Sequence, residues 1–300
     1  MAIQQVRAKV NGTWYTLTLN SSTGKYEATI TAPGATSYGL DGGYYNVSVE
    51  ATNTAGTTGT ADGSTLSGLQ LVVKEKVAPV ITILSPSSGA FVTNNKQPVV
   101  FNITDEAGGS GVDIGSLVVK LDGAAVTSGI VTTAITNGYS VTYTPSGALD
   151  DGAHTVTLDC ADHDGNAATQ KATTFTIDTV PPTLNVTSPA DGSITNAASC
   201  VVAGVTNDVT SSPTEVKITL NDADQGAVSV GTDGSFSKSL TLAVGENTIV
   251  ITATDAAGKV SSVTRKVTLD TSVPQIVSAV ITPNPVDAGA TMVISVEVEG

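Results

Sequence analysis

Basic residues are scarce in this chain. Its 300 residues include 13 Lys and Arg against 27 Asp and Glu, for a formal net charge of −14. Nucleic-acid binding needs clustered cations that neutralise phosphates, so this composition argues against a DNA or RNA partner. The acidic surplus is made of 19 Asp and 8 Glu. Its simplest interpretation is a solvated surface that keeps the protein soluble.

Histidine and cysteine are also few, with two of each. Cys160 and Cys200 lie in different repeats, so both are predicted to be small buried residues and not a disulfide. No serine or cysteine nucleophile is tied to a histidine by a local motif, and no glycine-rich strand-to-helix loop occurs. His154 is interpreted as a surface or edge residue, and His163 as part of a turn. We therefore predict that the protein is not an enzyme.

The sequence contains no run of 18 apolar residues, which argues against membrane insertion. Residues 1–7 lead directly into a strand, without a basic start, an apolar segment or a cleavage site. Tandem sandwich arrays normally serve outside cells. Together these observations favour a virion protein that is assembled in the host cytoplasm and released by lysis. The alternative is an extracellular or cell-surface location.

A β-rich unit recurs along the chain. Three alternating segments precede a glycine at the same spacing: 47–53 before Gly56, 156–162 before Gly165, and 249–255 before Gly258. Three acidic residues stand four positions before a proline, at Glu75, Asp178 and Asp270. We call these the border residues. They predict four segments: residues 1–76, 77–179, 180–272 and 273–300.

Hydrophobic residues alternate with polar ones inside these segments, as expected for strands with one buried face. The residues predicted to face the core are Val47, Val49 and Ala51, then Val156, Leu158 and Cys160, then Ile249, Ile251 and Ala253. Each complete copy holds about seven short strands, bounded by turn signals. The predicted fold is all-β, with tandem immunoglobulin-like β-sandwiches in an elongated array.

The first and last segments correspond to parts of a module. Residues 1–76 begin at what is the third strand elsewhere, and residues 273–300 form a hairpin equivalent to the first two strands. The side chains predicted to share one hairpin face, opposing Val280, are Met292, Ile294, Val296 and Val298. We expect these four to act as strand donors to other virion proteins or, head to tail, to another copy. Alternatively, residues 1–76 close as a smaller sandwich and the hairpin frays, or the chain is part of a longer polypeptide.

Aspartate-rich turns offer a candidate metal site. Residues 159–166 contain an Asp-x-Asp-Gly-Asn sequence that is similar to calcium loops. A calcium site is predicted at Asp162, Asp164 and Asp178. The equivalent segment after Asp255 has no second carboxylate, which favours a metal-free turn in which aspartate bonds its own backbone. Both interpretations stay open at this point.

Four aromatic residues are concentrated in the first segment: Trp14, Tyr15, Tyr44 and Tyr45. Exposed aromatic rings can serve as platforms for carbohydrate. These residues are therefore candidates for binding a host-surface carbohydrate. Ordinary core and cross-strand packing is the alternative.

Several sequence segments resemble those of a known family: residues 12–18, 24–33, 71–79, 178–182 and 282–289. They resemble the immunoglobulin-like repeat proteins encoded among tail and baseplate genes of phages and prophages of Gram-positive (Firmicutes) gut bacteria. The resemblance implies a non-enzymatic structural or display component of the virion that assists contact with the host surface. It transfers no binding residue. The alternative function is a bacterial surface adhesin or carbohydrate-binding array.

Overall fold

The computed structural model describes residues 2–300, which divide into two compact units, residues 2–177 and 178–300. The described residues form 26 strands and two short 3-10 turns, Asp41–Gly43 and Ser67–Leu69. This confirms the predicted all-β fold. None of the helical segments within residues 2–300 is long and apolar enough to cross a membrane.

Residues 2–76, the first module, form one five-stranded sheet and one short strand pair. The strands are β1 (Ile3–Val10), β2 (Thr13–Asn20), β3 (Lys25–Glu27), β4 (Tyr45–Asn46), β5 (Ser48–Asn53), β6 (Thr58–Asp62) and β7 (Gln70–Leu71). The sheet order is β3-β2-β1-β5-β6, and β4 pairs with β7. Among the described residues of this module, only Val6 and Val10 are buried apolar side chains.

Residues 77–179, the middle module, form two sheets. The strands are β8 (Val80–Ser85), β9 (Ala90–Val92), β10 (Val99–Thr104), β11 (Val112–Leu121), β12 (Ala124–Ala125), β13 (Ile130–Ile135), β14 (Gly138–Tyr143), β15 (Gly152–Asp162) and β16 (Lys171–Ile177). One sheet has the order β13-β14-β10-β8, and the other β12-β11-β15-β16-β9. Phe101 and Phe175 meet in the core between them.

Residues 180–272, the third module, repeat this plan. The strands are β17 (Thr183–Ser188), β18 (Ser193–Thr195), β19 (Ser199–Asn207), β20 (Glu215–Leu220), β21 (Ala223–Asp224), β22 (Ser235–Thr241), β23 (Gly245–Thr254) and β24 (Val260–Leu269). The sheets have the orders β17-β19-β22 and β18-β24-β23-β20-β21. Phe236 and Ile251 lie in the core between the two sheets.

Each complete module has more strands than the seven predicted. Its opening segment is divided between the two sheets: β8 pairs with β10, whereas β9 runs parallel to β16. The third module does the same, with β17 on β19 and β18 parallel to β24. Pro86 and Pro189 stand between the two halves of these segments. Proline has no N–H to donate, so strand pairing is interrupted where the chain changes sheet.

The same tight hairpin follows the equivalent strands β1, β11 and β20. In Asn11-Gly12 and Asp122-Gly123 both central residues have positive φ angles, and Asn221-Asp222 does the same without a glycine. Two-residue turns of this hand suit the twist of the strands and favour Asn, Asp and Gly. The shared turn supports the predicted register of the repeat.

The predicted core face is confirmed in the middle and third modules. Val156, Leu158 and Cys160 are buried in one core, and their equivalents Ile249, Ile251 and Ala253 are buried in the other. Val47, Val49 and Ala51 are only half-buried in the first module. Cys160 and Cys200 are both thiols, and burial raises the pKa of each.

Residues 273–300, the terminal hairpin, consist of β25 (Gln275–Thr282) and β26 (Val293–Glu299). The two strands pair only with each other, and every residue of both strands is exposed. A lone two-stranded hairpin is marginally stable in water. The hairpin therefore offers apolar surface that no other part of residues 2–300 covers.

Candidate metal centres and surface sites

Three carboxylates come together at the start of the middle module. Glu75 lies five residues before β8, Asp105 directly follows β10, and Asp162 ends β15. Each residue offers one oxygen atom, and all three oxygens lie within 4.8 Å of one another. Asp162 is held by Asn166, which donates its backbone N–H at 2.8 Å and its side-chain amide at 2.7 Å. We call this group the first acidic cluster.

The loop between β10 and β11 fixes the other two carboxylates. The backbone N–H of Ser110 donates to Glu75 Oε1, and that of Gly111 donates to Asp105 Oδ2 at 2.8 Å. Burial raises the pKa of Asp105, and the nearby charge of Glu75 adds to this, against the lowering effect of the Gly111 hydrogen bond. The loop therefore orients two carboxylates and leaves one oxygen of each toward the cluster.

A second acidic cluster occupies the equivalent place in the third module. Asp178 lies five residues before β17, Asp208 directly follows β19, and Asp255 follows β23. Their oxygens again lie within 4.8 Å of one another, and all three residues are buried. Ser211 donates its N–H to Asp208 at 2.7 Å and its hydroxyl to Asp178, while the Lys259 N–H donates to Asp255 at 2.8 Å. The arrangement thus recurs with different loop residues.

Three oxygens in the two clusters are buried without a hydrogen-bond partner: Glu75 Oε2, Asp105 Oδ1 and Asp255 Oδ2. Asp105 is 8% exposed and Asp255 is 6% exposed. Nearly all buried polar atoms in proteins are paired with protein, water or an ion. These orphaned oxygens therefore require an explanation.

The clusters also lack a balancing positive charge. Within residues 2–300, no lysine or arginine forms an ion pair with any of the six carboxylates. Two unit charges 4.8 Å apart repel by about 3.5 kcal/mol at an effective dielectric constant of about 20. Each cluster holds three such pairs. A hard cation coordinated by oxygen atoms is the group that this donor set fits chemically.

The predicted single metal site at Asp162, Asp164 and Asp178 is wrong as a grouping. Asp162 belongs to the first cluster and Asp178 to the second, and Asp164 belongs to neither. Asp164 accepts hydrogen bonds from Thr36 Oγ1 at 2.6 Å and from the Glu75 N–H at 2.9 Å. Burial acts to raise the pKa of Asp164, but these hydrogen bonds outweigh it and hold the pKa below its ordinary value.

The predicted turn at residues 162–166 does form. The Asp162 side chain accepts from the Asn166 N–H, and the Gly165 N–H donates to the Asp162 carbonyl at 3.2 Å. His163 lies on this turn and stacks on Tyr38 of the first module, with ring centroids 4.4 Å apart. The turn therefore combines two functions, since it holds a cluster carboxylate and also contacts the first module.

The four aromatic candidates do not form one platform. Trp14 pairs with Lys9 and Tyr15 pairs with Ala8 across the β1–β2 ladder, so the two rings lie on opposite faces. Trp14 is 38% exposed, and the Arg7 guanidinium lies 4.3 Å from its ring centroid. Tyr44 and Tyr45 are half-buried, and the Tyr45 hydroxyl donates to a backbone carbonyl. Trp14 alone remains as an exposed aromatic candidate.

The four predicted strand-donor residues are exposed, but the prediction that they oppose Val280 is wrong. Val280 pairs with Ser295, so it lies on the opposite face from Ile294 and Val296. The side chains that pair with Ile294, Val296 and Val298 are Ile281, Ala279 and Ile276. Met292 lies just before β26 and is also exposed. A bulge near Ile276 shifts the register, which the simple alternation of the sequence does not reveal.

His154 is not the surface or edge residue that the sequence predicted, because it lies on β15, a central strand of its sheet. Its side chain is 12% exposed, and its ring nitrogens contact Asp122 Oδ2 at 2.8 Å and the Asp150 carbonyl at 2.9 Å. Burial acts to lower the pKa of His154, but these contacts outweigh it and raise the pKa above its ordinary value. Asn247, at the equivalent position of the third module, is fully buried. A polar residue here anchors the turn before the strand.

Sequence reasoning did not place Glu75, Asp105, Asp208 and Asp255 in acidic clusters. Asp105 and Asp162 are far apart in sequence, so no local motif links them. A signal was nevertheless present: Glu75 and Asp178 have the same separation as Asp105 and Asp208. An acidic residue that recurs at the same place in two repeats of otherwise different sequence marks a shared requirement of the fold.

Two parts of the chain match known families. Residues 85–179 match the family described as "Bacterial Ig-like domain", and residues 182–271 match "Glucodextranase, domain B". No curated protein sequence matches the chain.

Several solved structures are similar in fold. The fibronectin(III)-like modules of Clostridium thermocellum CbhA are 17% identical to this chain, with a TM-score of 0.40. The match covers 63% of this chain and 93% of the CbhA chain. An I-band fragment of titin is 12% identical, with coverage of 89% and 88% and a TM-score of 0.43. A 1.5-MDa bacterial ice-binding adhesin is 20% identical, with coverage of 90% and 88% and a TM-score of 0.33.

The sheet topology and the match of residues 85–179 agree on the architecture. The chain is a tandem array of immunoglobulin-like β-sandwiches.

Proposed function

We propose that this chain is a non-catalytic structural and display component of a phage tail or phage-like particle, located in the virion. The repeated sandwich plan is the observation that carries this proposal. The modules reuse one topology, and their cores are filled with side chains such as Phe101 and Phe175. The sequence resemblance to phage-tail repeat proteins supports the same assignment.

The polar residues that could have served catalysis have structural contacts instead. His154 holds Asp122 and the Asp150 carbonyl, and His163 stacks on Tyr38. A groove of about 720 Å³ in the third module is lined by small, aliphatic, polar and acidic residues, the last being Glu215 and Asp255, without an aromatic ring. These features support a chain that carries and spaces its modules and does not convert a substrate.

Strand complementation is the proposed route of attachment, with a second copy of the chain as the occupant. The first module has an apolar groove of about 330 Å³, and its lining includes Val10, Ile30 and Leu71. The sheet of β1 and β5 corresponds to the sheet of β20 and β23. In the third module that sheet is packed against β17 and β19, the strands to which the terminal hairpin is equivalent. The hairpin of one copy therefore matches the groove of the next.

The apolar face of the hairpin provides the driving force. Burial of four such side chains gains about 1.5–3 kcal/mol each, before the cost of ordering the segment. We expect the native chain to associate with rising concentration in analytical ultracentrifugation, and the Val296→Asp variant to remain monomeric. Ser295→Asp is the matched control on the opposite face, and it should associate like the native chain. A native chain that stays monomeric at high concentration would rule out self-complementation.

Location on a particle tests the main proposal. Purified particles from the producing bacterium should be labelled along the tail or baseplate by an antibody against this chain, as seen by electron microscopy. Labelling of intact cells, with none on particles, would refute the virion assignment. The same result would support the alternative function.

The alternative is a bacterial surface adhesin or carbohydrate-binding array, and Trp14 favours it. Its ring borders a groove of about 320 Å³ that is also lined by Lys9, Glu50 and Thr60. An exposed aromatic ring beside charged and hydroxyl groups can stack on a sugar. Glycan-array binding should then be lost in Trp14→Ala and kept in Tyr15→Ala, whose ring lies on the other face. An array without signal for the native chain would dismiss this function.

A further inference from the structure

The two acidic clusters are a repeated feature that display of sandwich modules does not require. In each cluster a border residue is brought to the ends of two strands of the following module. Loops of different sequence orient the carboxylates in the two cases: Ser110 and Gly111 in one, Ser211 in the other. Retention of the arrangement in two modules points to a common ligand.

The oxygen spacing suits one ion in each cluster. Calcium binds oxygen at about 2.3–2.6 Å, so two ligands on opposite sides of an ion are separated by about 4.6–5.2 Å. The three carboxylate oxygens of each cluster lie within 4.8 Å of one another. One ion placed among them can therefore contact all three.

The orphaned oxygens supply the second, independent observation. Asp105 Oδ1 and Asp255 Oδ2 belong to side chains that are more than nine-tenths buried, and neither atom has a hydrogen-bond partner. The Glu75 Oε2 atom is also buried without a hydrogen-bond partner, although the Glu75 residue as a whole is only half-buried. Each of these residues already has its other oxygen bonded to a backbone N–H. The remaining oxygen is thus held in place for a cation.

We propose that each acidic cluster binds one calcium ion. Glu75, Asp105 and Asp162 hold the first ion, and Asp178, Asp208 and Asp255 hold the second. All six ligands are oxygen donors, which excludes a preference for the softer ions that select histidine or cysteine. Calcium accepts irregular sets of 6–8 oxygens, whereas magnesium demands near-ideal octahedral geometry and keeps its waters. Backbone carbonyls and water would complete the coordination.

Calcium binding would fasten two of the border residues, Glu75 and Asp178, to the modules that follow them. In the first cluster the ion connects Glu75, which precedes β8, to the ends of β10 and β15. The Glu75 N–H already donates to Asp164, and Thr36 of the first module donates to the same carboxylate. The ion therefore reinforces a contact that links the first module to the middle one.

Calcium stoichiometry of the purified full chain tests this proposal. After treatment with a chelator and dialysis, the native chain should bind two calcium ions, measured by equilibrium dialysis with radioactive calcium. Asp105→Asn and Asp208→Asn should each bind one ion, and the double variant none. Asp222→Asn, which removes an exposed charge on a turn outside both clusters, should still bind two.

Thermal unfolding gives a second readout that separates ligand loss from misfolding. In chelator, Asp105→Asn should melt at or above the temperature of the native chain, because it loses repulsion between carboxylates. In CaCl₂ the native chain should gain more in melting temperature than the variant does. MgCl₂ at the same concentration should produce a smaller gain.

Three results would overturn the proposal. The first is no saturable binding up to about 10 mM CaCl₂, which is tenfold above the weakest affinity typical of extracellular calcium modules, about 1 mM. The second is that Asp105→Asn or Asp208→Asn still binds two ions, which would show that the mutated cluster is not a calcium site. The third is an equal response to MgCl₂, which overturns the choice of calcium. All are measured on the purified chain, so they are independent of whether the protein is found on a particle.

Discussion

Replacement of Asn247 by alanine should destabilise the third module strongly. The Asn247 side chain is fully buried and makes four hydrogen bonds. Its amide nitrogen donates to the carbonyls of Ala243 and Gly245, and its oxygen accepts from the Ala243 N–H and from Asn221. A net contribution of about 0.5–1.5 kcal/mol for each bond gives about 2–6 kcal/mol, and we expect about 3.

Differential scanning calorimetry of the full chain should show this loss. About 1 kcal/mol shifts the melting temperature of a domain of 60–100 residues by about 4–8 °C, so the third-module transition should fall by about 12–24 °C. Asn196→Ala is the matched control, because Asn196 is exposed in the same module. A loss below about 1 kcal/mol, or one equal to that of the control, would refute the reasoning.

Three further predictions follow from single residues. Protonated His154 stabilises the middle module because its folded pKa is raised. Its contribution to the free energy of unfolding, measured by calorimetry, should be complete below pH about 6.5 and should disappear as the pH rises through the folded pKa. This contribution should be absent in His154→Asn. Gly234→Ala should lower the free energy of unfolding by more than about 2 kcal/mol, because Gly234 has a φ of +79° and an added Cβ would lie 1.9 Å from the Thr206 carbonyl oxygen. Gly226 also has a positive φ but open space around it, so Gly226→Ala should cost only about 1 kcal/mol. In a Cys200→Ser variant, the buried Cys160 thiol should react with a disulfide reagent only on unfolding, and rapid reaction in the folded variant would contradict its burial.

The sequence predicted the architecture because strands impose a period of two on buried residues. Val156, Leu158 and Cys160 alternate with polar neighbours, and all three are buried. The division of the opening segment between two sheets was not predicted. Only the interruption at Pro86 hinted at it, and the parallel pairing of β9 with β16 joins residues that are distant in sequence.

The candidate metal centres were predicted only in part. Asp162 and Asp178 each belong to one acidic cluster, whereas the sequence placed them in one site with Asp164. Neighbours along a turn can point in different directions, and Asp164 is directed to Thr36. Asp105 joins Asp162 only because β10 and β15 end on the same side of the sandwich. That proximity is tertiary, so a local motif could not reveal it.

His154 shows a similar limit. A polar residue at the start of a strand can face solvent or can bond to the preceding turn, and the sequence does not distinguish the two. The structure shows the second outcome, because Asp122 lies at a neighbouring hairpin and accepts from the Thr155 N–H as well. Asn221 accepts from the Thr248 N–H in the third module. The pair of His154 and Asp122 in the middle module thus corresponds to the neutral pair of Asn247 and Asn221 in the third module.

The parallel pairing of the opening and closing strands has a mechanical consequence. In the middle module β9 runs beside β16, and in the third module β18 runs beside β24, with three residue pairs in each case. The two partners lie near opposite ends of the module's chain, so a pull on those ends draws parallel neighbours in opposite directions. Their hydrogen bonds are then loaded together in shear and are not peeled apart one by one. A module built in this way resists stretching until several bonds fail at once.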